Sequence, residues 1–406
     1  AASNLPASSN RLLFTDISGG DLNASANRVQ VSNTGISAVD LGAPASERDA
    51  LINWMNGLDV LEANDNDDFT DTRRQMGDPL HVRPVPVIYG GTADEPDMVV
   101  YISTNDGYLH AIDPDDGSEL WAWVPERLLD IMYSKYQDDV STLRVYGLDG
   151  EITATIVNDD NLGGITGDER VILLFGMRRG GGGVFALDVT DRNDPQLLWE
   201  IDADSVNGSA STDYEDLGQT WSTPQISKVK VDNDVIDVAM FGGGYDAGQD
   251  DETIRTDNQG NAVYIVNLLT GEKIWSAGDD SDHDLRLTDM DHSIPAPLRV
   301  IDINSDGLAD RIYVGDMGGR VWRFDIFNGN SSYELGQGGM IASIGATDIS
   351  SPTTADVRRF YNQVDVVSVP QSGAPFFALN IGSGYRAHPL DRDIDEEFYS
   401  IRDFNP

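Results

Sequence analysis

One pattern recurs along the chain and limits its fold more than any other feature. It is an apolar strand, a glycine-containing turn, and a second strand that closes on Asp or Asn. Copies end at YLHAID (Asp113), VFALD (Asp188), VYIVN (Asn267) and VWRFD (Asp325). Three of them carry a glycine four residues on (Gly117, Gly271, Gly329) and an aromatic eight residues on (Trp121, Trp275, Tyr333). The copy at Asp188 reaches Trp199 three residues later, and weaker copies stand at RLLFTDISGG (Asp16, Gly20) and FYSIRD (Asp403). The strand before each turn is also alike, as in VVYIST, VILLFG, VAMFGGG, RIYVGD and FALNIG. Proline-containing strands precede several of these, in VRPVPVIY, STPQISKV and SIPAPLRV.

Antiparallel hairpins with Asp-Gly or Asn-Gly at the turn, repeated at intervals, predict an all-β repeat architecture. A β-propeller answers this best, and a β-sandwich with coincidental hairpins is the competing form. Successive copies lie further apart than the ~40–45 residues of a bare four-stranded blade. Inserted loops or degenerate blades must fill the difference, and about seven blades are expected, within one domain over 1–406. The first copy starts late in its blade and the last stops early. The two termini are therefore expected to complete one shared blade, leaving no open edge.

Two short helices interrupt the strands. After Ser46, Leu51, Trp54, Met55 and Leu58 share a helical face that runs to Gly57. PERLLDIMYSKY, from Pro125, presents Leu128, Leu129, Met132, Tyr133 and Tyr136. Both are read as packing elements on the propeller rim.

The 406 residues hold 27 Lys and Arg against 69 Asp and Glu, a net charge of −42. So negative a surface repels phosphate backbones and excludes nucleic acid as a partner. It suits divalent cations and basic protein surfaces, or reports a saline habitat. The absence of cysteine excludes disulfides, thiol chemistry and Cys-based zinc sites. No apolar run is long enough to insert in a bilayer. The chain begins at Ala1 without a signal-like segment, from which we expect a processed piece of a larger secreted protein.

The sharpest local signal is Asp302-Ile-Asn304-Ser-Asp306-Gly307-Leu308-Ala-Asp310. Calcium takes six to eight oxygens, and a tight loop supplies them from alternate positions. Here these are the side chains of Asp302, Asn304, Asp306 and Asp310 and the Leu308 carbonyl, with Gly307 at the sharp turn. Position 12 is Tyr313 in place of the bidentate Glu of an EF-hand. The flanking strands put the loop at a β-hairpin tip. Asp232-Asn-Asp234 occupies the equivalent hairpin of the preceding repeat, without the glycine or the length. Asn64-Asp65-Asn66-Asp67-Asp68 is acidic but out of register. Both read as plain turns before they read as metal sites.

Nothing points to catalysis. Gly180–Gly183 leads into a strand with no Lys-Ser/Thr, so no phosphate cradle forms. His81, His110, His283, His292 and His388 show no metal-binding spacing. His283 and His292 flank acidic residues, and Gly382-Ser383-Gly384 is too short for a nucleophile elbow.

The A-x-D-x-x-x-G-x-x-x-W repeat resembles the blades of quinoprotein-type propellers. D-x-N-x-D-G-x-x-D followed by RIYVGDMGG resembles the FG-GAP hairpins of integrin-type propellers. One family joins both. The run GDPLHVRPVPV, VVYISTNDGYLHAID, WAWVPE, FGMRRGGGGVFALDV, WSTPQI, FGGGYD, DINSDGLADRIYVGDMGGRVWRFD and GSGYR resembles the C-terminal propeller of the PilC/PilY family of type IV pilus tip and biogenesis proteins. The resemblance implies an extracellular, pilus-associated protein that is not an enzyme. It would use Ca2+ at Asp302, Asn304, Asp306, Leu308 and Asp310 to control pilus extension against retraction. Its partners would be pilus components such as minor pilins, and host or surface ligands if it is an adhesin. The RGD triplet of some members is absent, as is their N-terminal region. An integrin-like adhesive propeller and a generic envelope scaffold are the alternatives. A quinoprotein dehydrogenase comes further behind, because many such enzymes place a vicinal Cys pair beside the quinone.

Overall fold

The structure, a computed structural model, describes residues 6, 10–62, 66–73, 76–138, 144–160, 163–346, 349–371 and 373–405. It divides into two compact units, 1–175 with 185–199, and 176–184 with 200–406.

The first unit opens with β1 (Leu13–Phe14) and helix α1 (Arg48–Met55), followed by β2 (Val85–Gly91), β3 (Pro96–Ser103), β4 (Leu109–Ile112) and β5 (Glu119–Trp123). These strands form a sheet in the order β1-β5-β4-β3-β2. The chain goes on through α2 (Met132–Gln137) to β6 (Ile152–Val157), β7 (Arg170–Gly176), β8 (Val184–Asp188) and β9 (Gln196–Asp202), with a small hairpin of β10 (Ser205–Val206) and β11 (Ser209–Ala210). The order in this second sheet is β11-β10-β9-β8-β7-β6. Within the first unit, Trp123 meets Phe175 and Phe185 edge-on, at 6.1 and 5.4 Å. The Trp121 indole N–H donates to the Arg192 carbonyl at 2.7 Å. Helices α1 and α2 pack together through Trp54 and Tyr136, whose rings are 5.8 Å apart. Leu51, Ile52, Leu128, Leu129 and Met132 are buried with them, and the expected packing role is what they perform.

The second unit holds three more sheets. The third contains β12 (Gln225–Val231), β13 (Asp234–Gly242), β14 (Val263–Asn267), β15 (Lys273–Gly278) and a short parallel β16 (Leu285–Arg286). The fourth contains β17 (Arg299–Ile301), β18 (Arg311–Gly315), β19 (Arg320–Ile326) and β20 (Gly336–Ser343). The fifth has β21 (Asp365–Val369), β22 (Phe376–Gly382) and β23 (Phe398–Asp403). A core of Met240, Ile265, Trp275, Ile312, Val314, Trp322 and Phe324 lies between the third and fourth sheets. Tyr313, Val321, Phe360, Leu379 and Ile381 fill the space between the fourth and fifth. The inner strands are buried on both faces, as sheets stacked in series require.

The recurrent turn has a local cause. After Asp113 and Asn267 the backbone N–H of Gly117 and Gly271 returns to the carbonyl of the Asp or Asn, at 2.8 and 2.9 Å. The side chain of Asp113 or Asn267 accepts the N–H two residues on. Both glycines are left-handed, φ 73° and 71°, where a Cβ is disfavoured. The prolines of the three proline-containing strands sit at the sheet edge: Pro86 lies in the edge strand β2, and Pro224 and Pro297 precede the edge strands β12 and β17.

Two expectations need correction. The described residues form five sheets where about seven blades are expected, because the long intervals are connections, two helices and the β10–β11 hairpin, with no degenerate blades among them. Among the described residues the two ends of the chain do not share a sheet. β1 pairs in parallel with β5 (Leu13 opposite Ala122), while the last sheet ends at β23 with three strands. The third aromatic of the repeat, Tyr333, is 69% exposed, whereas Trp121, Trp199 and Trp275 are fully buried. A 3-10 turn at Ser332–Glu334 lets buried Leu335 enter the core in its place.

Candidate metal centre

Strands β17 and β18 pair antiparallel with Val300 opposite Ile312 and Ile301 opposite Arg311, so Asp302–Asp310 is the connection at their tip. Asp302 to Gly307 are exposed, Leu308 and Asp310 half-buried, and Ala309 buried. Ala309 anchors the end of the loop: its N–H donates to the Lys228 carbonyl, and its own carbonyl accepts from Asn328 Nδ2.

The loop's backbone points its donors at its own acid groups. Asp302 Oδ1 accepts from the N–H of Ser305 (2.6 Å) and Asp306 (3.2 Å), and Oδ2 from Gly307 (2.8 Å). Asn304 Oδ1 accepts from Asp306, Asp306 Oδ1 from Leu308, and Asp310 Oδ2 from Ile303 and Asn304. Each oxygen-bearing side chain is thereby fixed by a backbone donor. The chain turns inside this net at Ser305 (φ 64°) and Gly307 (φ 87°). Around Gly307 the space is open, so its requirement is the left-handed backbone alone.

Cationic side chains nearby are committed elsewhere: Arg311 to Asp325 (2.6 Å), Lys228 to Asp237 (3.1 Å) and Arg299 to Asp365 (3.8 Å). Three carboxylates and an amide on one tight loop, with no lysine or arginine on them among the described residues, make an oxygen-only donor set that fits a hard divalent cation. Asp302, Asp306 and Asp310 do not form one of the groups whose ligand-capable atoms all lie within 4.8 Å of one another; among the described residues such groups occur at Asp216–Asp280–His283 and Asp159–Asp160–Glu169. Like charges spread, each taking backbone N–H donors.

The other acidic turns resolve differently. Val231 faces Asp234, leaving Asp232 and Asn233 as a two-residue hairpin turn with Asp232 at φ 51°. Asn64 and Asp65 lie outside the described residues, and Asp68 accepts from Thr70 N–H and Oγ1. Of the histidines, His81 pairs with Asp149, His110 with Glu119, His283 with Asp216 and His292 with Asp291, while His388 Nε2 meets the Asp250 carbonyl. Buried Glu119 is held down to about 2 although burial opposes it, because Arg11 and His110 both face it. Sequence reasoning missed the Asp216 and Asp159 groups, since their members come from separate segments or lack a spacing rule.

Stacked antiparallel sheets with fixed hairpin order, one bearing an oxygen-lined tip, define a β-propeller with a candidate cation loop. The PilY1 beta-propeller domain model matches residues 88–366, and the chain belongs to that family. The Type IV pilus biogenesis factor PilY1 of Pseudomonas aeruginosa strain PAK is 32% identical over 237 residues, covering 57% of this chain and 17% of that protein. For strain UCBPP-PA14 the figures are 28% over 308 residues, 70% and 24%. A homolog from Xylella fastidiosa strain Temecula1 is 32% identical over 238 residues, 56% and 16%. The matched stretch thus spans under a quarter of these relatives' length. The crystal structure of the P. aeruginosa PilY1 C-terminal domain superposes with a TM-score of 0.53 at 22% identity, over 76% of this chain and 57% of that one, and shares the fold. Among the described residues no helix is long and apolar enough to cross a membrane.

Proposed function

We propose that this chain is the calcium-responsive propeller of a type IV pilus biogenesis factor, working outside the cell as a binding module and not as an enzyme. One observation carries the reading: within the stretch matched by the family model, Asp302, Asn304, Asp306 and Asp310 are each fixed by backbone donors on a largely exposed tip, with no basic partner among the described residues. Those four side chains and the Leu308 carbonyl would hold Ca2+, which supplies positive charge and order. Without it, Asp302, Asp306 and Asp310 repel one another at a tip with few packing contacts. With it, the local negative field falls and the tip presents a different surface to a pilus component. Occupancy would then decide whether pilus retraction is permitted or opposed.

The test is Asp302→Ala with Asp306→Ala in the full-length protein in its own cells, scoring surface pili and twitching. Loss of one or both with normal secretion and folding is the expected result. Normal piliation and twitching in the secreted, folded variant contradict the switch, and failure of adhesion alone favours an adhesive propeller in which the ion only stiffens a blade.

A further inference from the structure

Away from the calcium loop, the second unit gathers two carboxylates and an imidazole from segments distant in sequence. Asp216 lies between β11 and β12; Asp280 and His283 lie between β15 and β16. One ligand-capable atom from each falls within 4.8 Å of the other two. His283 Nε2 is 2.7 Å from Asp216 Oδ2 and 3.8 Å from Asp280 Oδ1. The imidazole is 4% exposed and the Asp280 side chain 47%, so the group is buried on one side and open on the other.

The ring is held in place. Its Nδ1 is 3.0 Å from Ser276 Oγ, and it lies so close over Gly278 that a Cβ there would stand 2.1 Å from Nε2. Ser276 therefore fixes which nitrogen faces the carboxylates, as the outer partner of a metal-binding histidine does. Charge is not balanced locally. The neighbouring cations are turned elsewhere, Lys273 to Asp213 and Arg286 to the Asp279 carbonyl.

An independent observation points to a ligand at this place. The Tyr264 hydroxyl, from β14, is fully buried and makes no hydrogen bond of normal geometry among the described residues. Its ring lies 6.0 Å from that of His283. The hydroxyl approaches the Asp216 backbone N–H without a hydrogen bond of normal geometry. A buried hydroxyl left without a partner calls for one, and water on a bound ion would provide it.

We propose that Asp216, Asp280 and His283 form a second cation site, separate from the calcium loop, for a first-row divalent ion of the zinc or manganese kind. One imidazole beside two carboxylates suits those ions better than calcium, whose ligands are all oxygen. Tyr264 is a positioning residue that would donate to ion-bound water or to the Asp216 carboxylate.

The test uses Co2+, whose visible d–d absorption reports coordination, added to the chain with the calcium loop filled by excess Ca2+; zinc competition follows. Saturable Co2+ absorption, displaced by Zn2+, is expected. Asp280→Asn and His283→Gln should each weaken it by about tenfold or more, and Tyr264→Phe by about tenfold with no loss of ion-free melting temperature. Asp306→Ala should leave it unchanged. Because Asp280 is half exposed, its variant keeps the fold and decides the question if His283→Gln does not. Absence of absorption at saturating Co2+, or undiminished affinity in Asp280→Asn, overturns the proposal.

Discussion

The third and fourth sheets are written with the same repeat and packed on one another, yet they part at two points. At the outer tip the third sheet closes with the two residues Asp232 and Asn233, whereas the fourth opens into Asp302–Asp310. After the turn at Asn267–Gly271, the third sheet sends Trp275 into the shared core, where it meets Phe324 edge-on at 5.8 Å. At that step the fourth sheet leaves Tyr333 in solvent and drops its backbone so close to Trp275 that a Cβ on Gly336 would stand 2.6 Å from the indole. One indole thus serves two sheets. The strands between sheets are constrained by packing from both sides, and the tips are free to carry chemistry.

That contrast can be broken at either end. The largest effect should come from the core: Trp275→Ala is expected to cost about 3–5 kcal/mol, while Tyr333→Ala stays within about 0.5 kcal/mol. Urea melts of the two variants check this, and a comparable loss in both would mean the fourth copy keeps its aromatic lock after all. Next comes the tip. Free calcium at about a hundred times Kd should stabilise the wild type by about 2.7 kcal/mol. Replacing Asp302–Asp310 by the Asp-Asn turn of the third sheet should remove that gain while leaving a folded protein by circular dichroism. A surviving calcium shift in the swapped chain places the ion elsewhere.

Gly307→Ala is a finer probe. Since nothing stands near the added Cβ, only the left-handed backbone resists it, for a loss of about 1–2 kcal/mol by thermal melting in the absence of calcium. A larger loss would reveal packing at the tip that the open surroundings of Gly307 do not contain. Smallest of all, Asp232→Gly in the tight turn should change stability by no more than about 0.5 kcal/mol and leave any calcium response intact.

The strands and turns were legible because their causes are local. An Asp or Asn that accepts its own turn's N–H and a glycine at positive φ leave a spacing anyone can read, as at Asp113–Gly117 and Asn267–Gly271. The loop's turn was legible for the same reason, because its hydrogen bonds run between residues no more than seven apart. Partnership was not legible. That β1 joins β5, or that Tyr333 yields its place to Leu335, depends on which surface is already covered, and no spacing records it. Asp403 shows this well. It stands where the repeat would close a turn, yet it accepts from the Tyr313 hydroxyl at 2.6 Å and from Arg323, tying the last strand to the fourth sheet. Asp216 and His283 meet across a similar distance in sequence, and only the fold brings them together.

Calorimetric titration of Ca2+ into the wild type, Asp306→Ala and Asp232→Ala tests the calcium loop most directly. The account predicts a saturable site of about micromolar to millimolar Kd in the wild type and in Asp232→Ala, and its loss in Asp306→Ala. Binding of equal strength in Asp306→Ala, or no binding in the wild type, would contradict it.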